Sequence, residues 1–480
     1  MHTELLLSMM APTLLLHTGF YAVHRRNPNP NFNIRSSLSS QIIKPSSSSS
    51  LKSQPNSIRY AVLGAGFAGL SVVWHLLEVK TSLICVDNLV YNVVEQAPKD
   101  LHLCIDLYDE VGIGGGASGI SGGLLHPYSP KAKLLWRGAD CWRECLRLLN
   151  IAETTVASCK SDTPSLDFKR DANETIVWRR GIFRPATTLK NADVLSESAH
   201  NCLPSCKIEL MDEDGAQSFA PHLCMPFNSA IFMPQAVNVH PQRYLQALFL
   251  SCKNLVKDLA SIDRGEKELC LYQKSFNSLL ELADDYDAAI ICFGAKADLL
   301  PELCGKLPVR TCRGIVTHLN LPTDMGDDYA DDSPSVLSDA WLAFQGPRDL
   351  IMGSTWDWRS RNYLTRVSEK ETLTALEELL PKASVVFPSI NKWKLAGAKA
   401  GVRAMPPLTP LGSVPLMGSV DYAISGNHKC KYWLLTGLGS RGLLYHGWLG
   451  KLMAQAVLSC DEGVLPHELT SWKNKTALPT

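Results

Sequence analysis

The chain has 480 residues, 45% hydrophobic and 20% charged, the composition of a globular protein long enough for two or three lobes. Its 47 basic residues balance 47 acidic ones, so no global field draws in nucleic acid or an anionic membrane. The 15 cysteines include no CxxC pair and no Cys/His cluster at zinc spacing, which argues for free thiols and against a metal site.

Residues 1 to 57 stand apart. They are rich in serine (Ser46 to Ser50), carry Arg25, Arg26, Arg35, Lys44 and Lys52, and hold Glu4 as their one acid. That is the composition of a disordered organellar transit peptide; a plastid (chloroplast stroma) is the expected address and a mitochondrion the alternative. The apolar run Leu5 to Leu16 is too short to span a bilayer, and its basic residues follow it instead of preceding it. No later stretch reaches 18 apolar residues, so stable membrane insertion is not expected.

The first folded motif is IRYAVLGAGFAGLSVVWHLL, Ile58 to Leu77. A short apolar strand meets Gly64, Gly66 and Gly69 and runs into a segment with apolar residues at Leu70, Val73, Trp74 and Leu77. Strand, glycine turn and helix in that order point to dinucleotide binding. The first glycine makes the turn, the second admits a pyrophosphate, and the third lets helix and strand pack closely. The helix N-terminus then offers free N–H groups and a partial positive charge to phosphate.

Such a fold needs an acid at the end of its second strand to hold ribose hydroxyls. Asp87, ending SLICVD, has the usual spacing; Asp109, ending LHLCIDLYD, leads directly into Gly112 and the run GGGASGISGGLLHPY. Asp109 is preferred. Residues 79 to 100 then become an insertion, either a surface excursion or a gene-model error.

Residues 131 to 150 show a helical apolar face (Leu134, Leu135, Trp142, Leu146, Leu149), and IVWRRGIFRPA reads as strand. VNVHPQRYLQALFLSC gives a strand and a helix starting near Pro241, and DAAIICFGA a buried parallel strand entering a glycine turn. RGIVTHLNL, WLAFQG and DLIMGSTWDW read as an antiparallel sheet. Ser368 and Glu371 form a capping box for a helix presenting Leu373, Leu376, Leu379 and Leu380 and ending at Pro381. GVRAMPPLTPLGSVPLMG reads as a loop-rich segment, and KYWLLTGLGSRGLLYHGWLGKL as strand, glycine turn and helix again.

These motifs together resemble the FAD-dependent D-amino-acid/glycine oxidase (DAO) family, and within it the FAD oxidase domain of the bacterial tRNA-modifying enzyme MnmC. The resemblance covers most of residues 58 to 470 and rests on GAGFAG, GGGASGISGGLLHPY, ICFGA, VRTCRG, GVRAMPPLTPLGSVPLMG and TGLGSRGL. It implies a two-lobed α/β (α+β) protein of the DAO/glutathione-reductase type, in which a Rossmann-like FAD-binding domain carries an inserted antiparallel-sheet substrate domain. The implied FAD-binding pieces are 58–150, 228–312 and 396–470, and the substrate pieces 151–227 and 313–395, with a tail at 471–480. FAD would be held by Gly64, Ala65, Gly66, Phe67, Ala68, Gly69, Asp109, Gly116, Ala117, Ser118, Gly294, Gly437, Gly439, Ser440, Arg441 and Gly442.

The resemblance also places Arg403 on a substrate carboxylate, a task suited to a planar, always charged, bidentate donor. Arg441 is a second anion contact, and His126, which stands where the MnmC-type oxidase has tyrosine, lines the pocket. For Trp356 and Trp358 core packing is expected ahead of a pocket wall. The implied reaction is oxidation of the C–N bond of a small amine or amino acid bearing a carboxylate, with hydride passing to flavin N5 and oxygen or another acceptor taking the electrons. Two alternatives are a tRNA-uridine oxidase and a flavoprotein assembly factor without turnover. Ile120-Ser121-Gly122 departs from the MnmC-type run, the partner methyltransferase domain is absent from these 480 residues, and the neutral charge disfavours tRNA. Oligomeric state is left open.

Overall fold

The computed structural model describes residues 57–82, 102–162, 175–261, 267–323, 333–426 and 428–475. The leader 1–56, the competing Asp87, most of the expected insertion and the last five residues of the tail lie outside them.

A six-stranded sheet forms the first layer system. Its order is Leu416–Ser419, Lys431–Thr436, Ala288–Ile291, Ser57–Leu63, His102–Asp109 and Lys267–Gln273, all parallel except the first. Alternation along the strands sorts the core into two halves. Tyr60, Val62, Ala288, Ile290, Trp433 and Leu435 face a layer built from the helices Phe67–Ser82, Gly138–Asp162, Pro241–Ser261 and Gly442–Ser459. Ala61, Leu63, Ala289, Ile291, Tyr432 and Leu434 face the opposite layer with Leu279, Leu300, Leu303 and Trp472. Because both faces are covered, these strands read in sequence as continuous apolar runs.

The second system is an eight-stranded sheet in the order Lys394–Met405, Arg310–Asn320, Asp349–Gly353, Trp341–Phe344, Ser335–Val336, Ile182–Pro185, Ala230–Met233 and Glu209–Met211. All its pairings are antiparallel except Ser335–Val336 with Ile182–Pro185. Helix Glu369–Ser384 covers one face with Leu379 and Ala383 against Leu342, Phe344, Leu350 and Met352. The other face presents Val316, Ala343 and Ile351 to Ile120 and Leu124, which follow the first domain's glycine loop. That contact sets the site between the two sheets.

Several expectations need adjustment. The helix expected at 131–150 runs Gly138–Asp162, and Leu134 is exposed in the preceding turn. It packs with the first sheet's helices, so the boundary at 150 falls inside an element. Strands Ala230–Met233 and Lys394–Met405 pair into the second sheet, which moves the crossings expected at 228 and 396. The segment from Gly401 is not loop: it continues strand Lys394–Met405 and then makes a two-stranded ladder, Leu408–Thr409 with Gly412–Ser413. Its prolines fall after the long strand, where no ladder N–H is needed. The capping box at Ser368 and Glu371 is present, but Pro381 lies inside the helix, which continues to Ser384, and Leu373 is exposed.

Candidate active site

The glycine turn forms because side chains would collide there. A Cβ on Gly69 would lie 1.8 Å from the Gly64 carbonyl oxygen, and Gly64 itself has φ +115°, with its own Cβ position 2.5 Å from the Cys292 carbonyl. Only glycine fits either place. Helix Phe67–Ser82 therefore starts directly against the strand, with Ala65 and Ala68 buried beside it.

Asp109 closes this turn. Its Oδ2 accepts from Ala65 N (2.9 Å) and its Oδ1 from Val111 N and Gly112 N (2.9 Å each). Strand His102–Asp109 lies next to Ser57–Leu63 in parallel register, so Asp109 stands where the fold needs its acid. Gly114 N donates to Ala65 O (2.9 Å), and Phe67 N donates to Ser118 Oγ (3.1 Å). Gly116 caps the short helix Ala117–Ile120. Gly64 through Gly69, Asp109 and Gly116 through Ser118 thus form one cradle.

The second glycine turn follows strand Lys431–Thr436. Gly437 (φ +72°) and Gly439 (φ +56°) let the chain reverse before helix Gly442–Ser459. Ser440 and Arg441 complete it, and Gly442 lies against the Phe67 ring, joining the starts of the two helices. Thr436 Oγ1 donates to Gly294 O (3.0 Å), tying in the third glycine site. Gly439 N donates to Ala404 O (2.9 Å), which docks the turn on the strand that carries Arg403.

Arg403 pairs across the sheet with Cys312, and its guanidinium lies over Gly314, where a Cβ would come within 2.4 Å of Nη2. Nη2 donates to Ser354 Oγ, and the guanidinium carbon sits 4.4 Å from the Trp356 ring centroid. Its Nη1 is buried and has no acceptor. Burial pushes the Arg403 pKa down from its ordinary value. Trp356 is 47% exposed and stacked on Trp358, so it walls the arginine instead of packing in the core as expected.

Arg441 is half-buried at the start of helix Gly442–Ser459, with Nη1 3.2 Å from His126 Nε2. His126 Nδ1 accepts from Tyr128 N at 3.3 Å. Burial first, then the charges of Arg441 and Arg184, push the His126 pKa well below its usual value, so the imidazole is neutral.

Gly314, Ser354 and Arg184 escaped the sequence reading. Arg184 had a readable signal: it shares the inward face with Ile182 on an apolar strand, where an unbalanced charge is out of pattern. An open cavity of about 450 Å³ lies further along the second sheet, lined by His318 and Lys399, and so apart from Arg403.

These features match a known family. The profile of FAD dependent oxidoreductases (DAO) matches residues 59–456. The chain belongs to the DAO family of FAD-dependent oxidoreductases. FAD is accordingly its cofactor, and the cradle suits it: glycines where side chains would block approach, an N-terminal helix end, and an acid at the strand terminus. Among solved structures it is similar to iminodiacetate oxidase from Chelativorans sp. BNC1 (18% identity, 86% of this chain and 98% of that one, TM-score 0.60). It is also similar to glycine oxidase from Geobacillus kaustophilus (16%, 86% and 98%, 0.59) and L-proline dehydrogenase from P. horikoshii (12%, 88% and 99%, 0.59). At these identities the likeness is one of fold. No curated protein sequence matches the chain. Among the described residues no helix is long and apolar enough to cross a membrane.

Proposed function

We propose that this flavoenzyme oxidises the C–N bond of a small amine or amino acid whose carboxylate is gripped by Arg403. The observation that carries the reading is the Arg403 guanidinium: held by Ser354, stacked on Trp356, and left with a buried Nη1 that has no acceptor. A buried donor without a partner costs about 1 to 3 kcal/mol, which a bound carboxylate would recover. The glycine oxidase and iminodiacetate oxidase it resembles are oxidases by name, which favours the same class of target.

In this reading FAD supplies the hydride acceptor, and the chain supplies orientation and electrostatics. Arg403 fixes one end of the substrate. Trp356 keeps the guanidinium plane in place, and Gly314 leaves room for it across the strand. With its pKa pushed well below the usual value, His126 is too weak a base to take the proton of the substrate amine, which would be shed to solvent before oxidation. The test is to add glycine, sarcosine and D-amino acids anaerobically to the flavin-loaded protein and follow the visible flavin band. Bleaching by a carboxylate-bearing amine is expected. Arg403→Ala should keep FAD but weaken that substrate by about 2 to 5 kcal/mol. An unchanged KM would remove Arg403 from the site.

A further inference from the structure

Three of the buried or half-buried arginines pair with carboxylates. Arg59 meets Asp106 at 2.8 Å, Arg147 meets Glu78 and Glu144, and Arg313 meets Glu371 at 2.9 Å. Arg184 and Arg441 have not. Arg184 is 9% exposed in the middle of the second sheet, and its recorded partner is a backbone oxygen, Ser129 O, at 2.6 Å from Nη1. The polar contact of Arg441 is His126, a ring already faced by the Tyr128 N–H on its other nitrogen. A neutral imidazole has one acceptor nitrogen, so the two donors compete for it. Among the described residues no carboxylate forms an ion pair with either arginine.

Both guanidiniums bond one short stretch of chain, Arg441 at His126 Nε2 (3.2 Å) and Arg184 at Ser129 O (2.6 Å), three residues further on. In keeping with that, after burial the charge of Arg441 lowers the Arg184 pKa to about 9, and both charges act on His126. A buried and a half-buried cation beside each other are costly unless an anion joins them. The Arg441 turn is docked on the Arg403 strand through Gly439 N and Ala404 O, so the pair borders the space that Arg403 serves.

We propose that Arg184 and Arg441 form a second anion subsite beside Arg403, and that the preferred substrate is an amine carrying two carboxylates. This rests on the reading of Arg403 given above. A monocarboxylate neutralises Arg403 and leaves the pair uncompensated; a dicarboxylate satisfies both. The rival counter-ion is negative charge on the flavin itself.

The experiment uses the flavin-loaded protein and unreactive acids, read by the perturbation of its visible spectrum at constant ionic strength. Acetate, propionate and butyrate are compared with malonate, succinate and glutarate. The best dicarboxylate should bind about tenfold tighter or more than its monocarboxylate counterpart. In Arg184→Gln the preference should fall to within about threefold, and Arg184→Lys should restore part of it. If wild type binds a monocarboxylate as tightly as any dicarboxylate, this inference fails while the Arg403 reading stands. If no acid of either class perturbs the spectrum, both fail. A preference that survives in Arg184→Gln while flavin retention or midpoint potential changes would assign the pair to the cofactor and overturn the proposal. The wild-type comparison decides even where a variant does not fold.

Discussion

Asp109 offers the most direct test of how the nucleotide cradle is held. Its carboxylate accepts three backbone N–H groups, and they are not equal. Val111 and Gly112 lie in an accessible turn where water would replace the carboxylate at little cost. Ala65 is 0% exposed, so its N–H would be left without a partner in Asp109→Ala. That one orphan should cost about 1 to 3 kcal/mol even in the flavin-free protein. For a chain this long, 1 kcal/mol moves the midpoint by about 1 to 2 °C, so the flavin-free protein should melt about 1 to 6 °C lower. FAD affinity should fall as well, because the turn that receives the cofactor loosens and a ribose acceptor is lost. Asp109→Asn keeps one acceptor and should fall between. The assays are a thermal melt of flavin-free protein and a fluorescence titration with FAD. An unchanged melt together with weaker FAD binding would show that Asp109 acts on the cofactor alone and that the clasp on Ala65 is not structural. No change in either would refute the whole argument.

Gly69→Ala places a methyl group 1.8 Å from the Gly64 carbonyl, so helix and strand must part, costing about 3 kcal/mol or more; flavin-free or insoluble protein is expected, and a yellow, stable variant would count against the close packing. His446 is buried, its Nδ1 2.7 Å from Leu443 O and its Nε2 2.7 Å from Tyr244 Oη, and burial above all lowers its pKa to about 4. Its folded pKa is depressed, so its contribution is present above the unfolded pKa of about 6.5 and is lost as pH falls from there toward 4. Between pH 7 and 5 the loss should be about 2 kcal/mol. Denaturant midpoints of His446→Gln should therefore fall less steeply on acidification than those of wild type, and parallel slopes would exclude the residue. Residues 1 to 57 fused to a fluorescent reporter should direct it to plastids in leaf cells; a cytosolic signal would dismiss the leader.

Much of the protein was legible without coordinates because it is built from local rules. Strand Ser57–Leu63 with its glycine turn, the strand ending at Asp109, and the final strand, turn and helix each carry their geometry in adjacent residues: apolar runs for buried parallel strands, and glycines where a Cβ cannot fit. The capping box at Ser368 is local in the same way. Where neighbours distant in sequence decide, the pattern misled. Pro381 reads as a stop, yet packing of Leu379 and Ala383 carries the helix past it. Trp356 reads as core, yet the loop after strand Asp349–Gly353 delivers it against the Arg403 guanidinium.

The sequence alone determined the cofactor class and the order of the elements, since those depend on motifs a few residues long, and it marked Arg403 as the arginine proposed to grip the substrate. Only the tertiary structure decided what surrounds that arginine. Gly314 clears its path, Ser354 and Trp356 hold it, and Arg184 and Arg441, 257 residues apart in sequence, are brought to one short segment at Ser129 O and His126 Nε2. Charge compensation is a property of three-dimensional neighbours: a one-dimensional count of 47 basic and 47 acidic residues balances, while among the described residues neither Arg184 nor Arg441 has a carboxylate partner.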